Sequence, residues 1–236
     1  MRADGPSPST DRYPEDGEGK PKRPLSAITA ATLLAVEGQD DENFFHALVD
    51  HLRLAQPQII PYNGTHQLPS KLAAIRNMSN FDMVDSFGVT ADAEEDAAAA
   101  FQRVCSALRH AGFPVPDRPL SPVGKKPRVC VLILPPGANQ GAIEDLCLQA
   151  VEGDPAMACV QAFFSCLSDQ SVVSPANTAK ARVQVFLASR PKAGMSLGVA
   201  ARRDYWPWDN PAFDGVKQFL QQLTQPRTYG GEAPSI

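Results

Sequence analysis

The stretch Thr32-Leu33-Leu34-Ala35-Val36-Glu37-Gly38-Gln39-Asp40-Asp41-Glu42-Asn43-Phe44-Phe45 opens with branched apolar residues and stops abruptly on a glutamate and a glycine. TLLAV (32–36) has the composition of a strand buried on both faces, as parallel strands under helices are. Beyond Gly38, the apolar residues Phe44, Leu48, Leu52 and Ala55, joined by Phe45 and Val49, recur at helical spacing and make one face of a helix. Asp40 is the expected N-cap of that helix.

Reading outward, QIIPY (58–62) is a second, shorter strand, Asn63-Gly64 a turn, and 69–79 a helix opened by Pro69. The segment 84–91 reads as the third strand, with Asp92 directly after it. A helix is expected from Ala93 to about Gly112, with Ala98, Phe101, Val104, Cys105 and Leu108 inward and the glycine at its C-terminus. The proline-rich stretch 113–127 suits neither helix nor central strand, so it is a loop. RVCVLIL (128–134) is the fourth strand, and a glycine-flanked loop leads to a helix from about Ala142. Helical patterns recur at 155–169, 177–190 and 211–223. Alternation first and helices last predicts an α/β fold, a mostly parallel sheet flanked by helices with a helical C-terminal extension.

Residues 1–24 carry prolines and mixed charge with almost no large apolar side chains, the composition of a disordered tail. The expected organisation is therefore a tail over 1–24, an α/β domain over 25–153, helices packed on it over 154–225, and a flexible end over 226–236. With 236 residues, 43% of them hydrophobic, the chain can bury a core without disulfides or structural metals. Five cysteines lie in apolar surroundings without CxxC spacing and read as buried free thiols of a reducing compartment. No apolar run is long enough for a membrane span and no signal peptide is evident, so a cytoplasmic protein without a membrane partner is expected. A net charge of −4 supplies no global basic field, so any nucleic-acid contact is weak for the chain alone.

Three of the expected strands run into acids: Glu37 with Asp40 and Asp41, then Asp92 with Glu94, Glu95 and Asp96, then, across a loop, Glu144 and Asp145. Functional groups of open α/β sheets gather at the carboxyl ends of strands. Carboxylates crowded there repel one another unless a cation lies among them, and all-oxygen ligands favour Mg²⁺, Mn²⁺ or Ca²⁺. Each group also marks a helix N-terminus, where negative charge meets the helix dipole, and Asp92 with Glu95 has capping-box spacing. Capping does not, however, require a glutamate at the end of a buried strand.

LLAVEGQDDENFF resembles the first motif of the Toprim family, an apolar strand ending in Glu-Gly, and VTADAEED resembles its second, Asp-x-Asp, with Glu94 in place of the second aspartate. Within that family the chain is similar to the OLD-type nucleases and related small bacterial proteins, whose further acids are matched by Asp41 and Glu144. The resemblance covers roughly residues 30–150. It implies a Toprim-like sheet and metal-assisted phosphodiester cleavage of DNA or RNA with Mg²⁺ or Mn²⁺. Glu37, Asp41, Asp92, Glu94 and Glu144 would be the metal ligands, with Glu37 also the catalytic acid or base. It further implies an ATPase partner in a defence-type system, because this chain has no GxxxxGK[ST] loop of its own. A degenerate site that binds a metal, a nucleotide or a partner without catalysis is the alternative, motivated by Glu94. Oligomer formation stays open.

Gly194-Met195-Ser196-Leu197-Gly198 fits the GxSxG elbow of hydrolases, but no histidine follows His110 to act as its base. His51 and His110 are expected at helix C-termini, and His66, in a loop after the second strand, is either a solvated loop residue or a member of the site rim. Lys125, Lys126, Arg128, Arg202 and Arg203 are either phosphate contacts or a solvated face. Trp206 and Trp208 are expected to pack an irregular loop onto the core.

Overall fold

The computed structural model describes residues 27–173 and 175–225, and in it TLLAV forms β1 (Thr32–Val36), with Leu33, Leu34, Ala35 and Val36 all buried. The remaining strands are β2 (Gln58–Pro61), β3 (Ser86–Asp92) and β4 (Arg128–Leu134). They pair in the order β2-β1-β3-β4, every pairing parallel. The connections are α1 (Gln39–His51), α2 (Leu68–Arg76) and α3 (Ala97–His110). After β4 come α4 (Ile143–Ala150), α5 (Ala156–Asp169), α6 (Thr178–Ala188), α7 (Leu197–Ala201) and α8 (Asp214–Thr224). The expected tails over 1–24 and 226–236 lie outside the described residues.

Side-chain alternation divides the core between the two faces of the sheet. Leu34, Val36, Cys130, Leu132 and Leu134 meet Phe44, Leu48, Leu146, Phe186, Phe219 and Leu223 from α1, α4, α6 and α8. Leu33, Ala35, Phe87, Val89, Val131 and Ile133 meet Leu72, Ile75, Phe101, Val104 and Leu108 from α2 and α3. The C-terminal helices thus help cover one face of the sheet. Contact is closest at Gly88, where a Cβ would stand 2.8 Å from Leu223 Cδ2 and 2.9 Å from both Leu34 Cδ1 and Phe219 Cζ, so β3 needs a glycine under α8. Trp206 and Trp208 are buried as expected, Trp206 stacked on Phe186 and donating its indole N–H to Leu197 O at 3.1 Å.

Several local expectations are corrected. Asp92 is the last residue of β3 and not the residue after it. The third helix starts at Ala97, four residues later than expected, because the loop after β4 captures the intervening backbone. Glu94 and Gly141 exchange N–H···O bonds of 2.8 and 2.7 Å, and Ala97 N donates to Asn139 O at 2.8 Å. Asp96 then caps α3 by accepting from Ala98 N and Ala99 N, so Asp92 and Glu95 form no capping box. Gly38 and not Asp40 is the N-cap of α1; the Asp40 carboxylate instead accepts from the Ser196 hydroxyl and from Gly198 N at 3.3 Å. Ser196 is itself the N-cap of α7, its hydroxyl accepting from Val199 N at 3.4 Å. Cys105, Cys130 and Cys147 are buried, but Cys159 and Cys166 are exposed, since Val160 alone in α5 is buried.

Candidate functional site: an acid cluster at the edge of the sheet

The chain leaves β1 toward β2 on one side of the sheet and returns through β3 on the other. Such a reversal of strand order opens a crevice at the carboxyl ends of the two central strands, the usual ligand position in open α/β sheets. Glu37 follows the end of β1 there, and Asp92 ends β3. The parallel register of β1 and β3 thus brings these two positions to the same end of the sheet.

Glu37 is fixed through its own carbonyl, which accepts from Asn63 N at 2.8 Å and Gly64 N at 3.3 Å. Its side chain is half-buried, and Oε2 is enclosed without a hydrogen-bond partner among the described residues. Burial first, then the charges of Glu94 and Glu144, raise its carboxyl above the ordinary value, against a smaller opposing pull from Arg103. Asp92 accepts from Ile143 N at 3.1 Å, which ties β3 to the first turn of α4. Burial again leads the causes that push it well up, followed by Asp41, Glu37 and Glu144.

Asp41 reaches back from the first turn of α1 to accept Gly38 N at 2.7 Å. It is both a cap and a member of the cluster. Burial outweighs that hydrogen bond, and with Glu37, Glu144 and Asp40 nearby its carboxyl is pushed up to about 7. In the first turn of α4 the two acids divide these tasks. Asp145 caps by accepting Ala142 N at 2.9 Å, while Glu144 is raised by burial, by Asp145 and by Asp40 and is drawn down by its own backbone N–H and by Lys180.

Four of the five acids expected from the sequence, Glu37, Asp41, Asp92 and Glu144, therefore sense one another at the same edge. Glu94 stands apart: it is exposed on the rim, in the left-handed region at φ 56°, and acts on the cluster through Glu37. No group of three or more His, Cys, Asp or Glu side chains among the described residues is arranged to hold a metal ion as it stands. The donor chemistry still suits a hard divalent cation: every group is a carboxylate, and Glu37 Oε2 lacks a partner. Asp41 and Asp92 meanwhile rest on backbone N–H groups, the local alternative open to carboxylates that repel one another.

Two neighbours of the cluster escaped the reading of the sequence. Tyr62 is buried beside it and donates its hydroxyl to Thr90 O at 3.0 Å; burial and the charges of Glu37, Asp92 and Asp41 raise the phenol, which keeps its proton. Arg103 projects from α3 and is felt by both Glu37 and Tyr62. An arginine on the polar face of an amphipathic helix carries no sequence signal of its own. The basic residues named from the sequence lie elsewhere. Lys126 pairs with Asp85 at 3.3 Å and Arg128 donates to Gln222 O, both by the start of β4, the opposite end of the sheet, while Arg202 donates to Asn43 Oδ1 at 3.0 Å. His51 and His110 end α1 and α3 as expected. No helix among the described residues is long and apolar enough to cross a membrane.

No curated protein and no solved structure matches the chain. One family model does, over residues 31–225, a span that takes in all four strands, the acid cluster and the helices that follow, and the chain belongs to that family, described as Protein of unknown function (DUF3226).

Proposed function

We propose that this protein is a divalent-cation-dependent hydrolase of phosphodiester bonds in DNA or RNA, of the Toprim type, working at the carboxyl edge of β1 and β3. The observation that carries the reading is the enclosed, unpartnered Oε2 of Glu37 among Asp41, Asp92 and Glu144. Burying carboxylates together is costly unless a cation or a proton neutralises them, and strand-end placement at a reversal of strand order is where ligands bind. Glu37, Asp41, Asp92 and Glu144 would hold Mg²⁺ or Mn²⁺, with Glu94 at the rim. When bound, the ion supplies Lewis-acid polarisation of the phosphate and a more acidic water.

The protein's own groups do the rest. Glu37, with its raised carboxyl, takes a proton at Oε2 from the water that attacks phosphorus and, as the P–O bond breaks, gives it to the leaving oxygen, the work of a general base and then acid. Asp92 is held in position by Ile143 N and Asp41 by Gly38 N. The lack of a phosphate-loop motif fits a subunit that relies on a separate ATPase partner for any ATP-driven step.

The test is incubation of purified protein with plasmid DNA and with RNA in Mg²⁺ or Mn²⁺, beside Glu37→Gln. Cleavage abolished by Glu37→Gln supports the reading; equal cleavage by both proteins overturns it. A second reading, a cation-binding or docking module without catalysis, is favoured by the exposed Glu94 where the Toprim motif that the chain resembles has aspartate. It predicts Mn²⁺ binding that Glu37→Gln weakens and no hydrolysis by the wild type.

A further inference from the structure

A groove of about 890 Å³ runs beside the acid cluster between the segment 62–69 and α3. Its walls include Tyr62 and His66 on one side and Gln102, Arg103, Ser106 and His110 on the other. Gln102, Arg103, Ser106 and His110 are all exposed on one side of α3, and His66 is exposed across from them. Among the described residues no aspartate or glutamate lines the groove, in a chain whose net charge is −4 and whose neighbouring site is a nest of carboxylates. Arg103 forms no salt bridge among the described residues, so its guanidinium is available to a ligand.

The groove also adjoins the reactive position, because Tyr62 and Ala91, the residue before Asp92, both line it. Leu33 and Ala35 of β1 pack toward α2 and α3, and the groove opens between those helices. The two are joined through the backbone as well, since Tyr62 N donates to Val36 O at 2.8 Å and Asn63 N to Glu37 O at 2.8 Å. The electrostatic effect of Arg103 on Glu37 agrees with that proximity.

We propose that this groove seats a single strand of nucleic acid and leads it to Glu37, Arg103 engaging a backbone phosphate and His66 and His110 flanking the bases. The choice of ligand rests on the phosphodiesterase reading of Glu37. A guanidinium matches a phosphate with two parallel N–H···O bonds, and imidazole rings offer faces on which unpaired bases stack. The groove is of the size of a small-molecule site, which admits a few nucleotides of one strand and not a duplex. An acid-free channel beside an acidic catalytic edge also keeps the strand from being repelled until its phosphate reaches the cation site.

The test is fluorescence anisotropy with fluorescein-labelled single strands of about 12 nucleotides, DNA and RNA in separate arms, in Ca²⁺ so that binding is read apart from hydrolysis. Arg103→Glu and Arg103→Ala are compared with Lys125→Glu, a charge reversal at the exposed opposite end of the sheet. Affinity that falls at least tenfold in Arg103→Glu and severalfold in Arg103→Ala, but by less than twofold in Lys125→Glu, supports the groove. Equal affinity in Arg103→Glu and wild type, equal losses in Arg103→Glu and Lys125→Glu, or no binding by wild type overturns it. Far-ultraviolet circular dichroism establishes that each variant is folded. Strand binding by a wild type that hydrolyses nothing would remove the catalytic reading and leave the groove standing.

Discussion

The carboxylate of Asp92 at the end of β3 accepts the backbone N–H of Ile143 at 3.1 Å, so one acid both joins the cluster and holds the first turn of α4. The two roles separate by substitution. Asp92→Asn keeps an acceptor oxygen for Ile143 N and removes the repelled charge, so metal-free protein should be at least as stable as wild type. Asp92→Ala also loses the hydrogen bond and leaves a donor unpaired, and should lie about 1–2 kcal/mol below Asp92→Asn in urea unfolding with chelator present. Both variants should lose at least tenfold in Mn²⁺ affinity by titration calorimetry. Unchanged affinity in Asp92→Asn would remove Asp92 from the ligand set.

Asp41 gives the pH dependence its sign. Its carboxyl titrates at about 7 in the fold against 3.8 as a free side chain, so the native state holds the proton more tightly than the unfolded chain. That contribution is complete below 3.8, shrinks as pH rises and is gone above about 7. Glu37, Asp92 and Glu144 are displaced in the same direction. Asp41→Asn retains an oxygen for Gly38 N. Because the side chain keeps partial contact with solvent, its gain over wild type should be about 1–2 kcal/mol at pH 8 and near zero at pH 4 in metal-free buffer. Mg²⁺ should shrink the gap at pH 8, and a gap that stays constant with pH would show that Asp41 ionises normally.

The strands, their mostly parallel arrangement and the acids at their ends were legible because buried strands advertise themselves as branched apolar runs; the order of the strands and the register of β1 against β3 were not. What was hidden depends on contacts between distant segments. Nothing near Glu94 signals that Gly141 will take its backbone and delay α3 to Ala97, and nothing near Asp40 signals that Ser196 will claim its carboxylate. Arg103 was silent for a related reason: which exposed residue of an amphipathic helix overlooks a site depends on how that helix is set on the sheet.

Two of the five cysteines were misread because hydrophobic composition was taken for burial. α5 is rich in apolar residues yet lies on the surface against α6, exposing Cys159 and Cys166 with Phe163 between them. Burial raises the Cys130 thiol to about 11 and drives Cys147 up as well, so these two resist ionisation as well as access. A colorimetric disulfide reagent at pH 8 should therefore titrate two thiols quickly, and the other three only on denaturation. Mass mapping should find the label at Cys159 and Cys166, and rapid labelling of Cys130 would contradict the packing of β4.

Gly88 tests whether the C-terminal helices belong to the sheet or merely follow it. A methyl at this position would press on Leu223, Leu34 and Phe219, all buried, at 2.8–2.9 Å. The contacts are with side-chain tips, but a packed core gives little room for them to turn, so Gly88→Ala should cost about 1–3 kcal/mol. For a domain of this size each kcal/mol lowers Tm by about 2–4 °C. Leu223→Ala alone leaves a cavity and should cost about 2–5 kcal/mol. Combined, the new methyl occupies part of the space that Leu223 vacates, so the double variant should lose measurably less than the sum of the two. Strict additivity in that cycle would mean that α8 does not rest on β3 at Gly88.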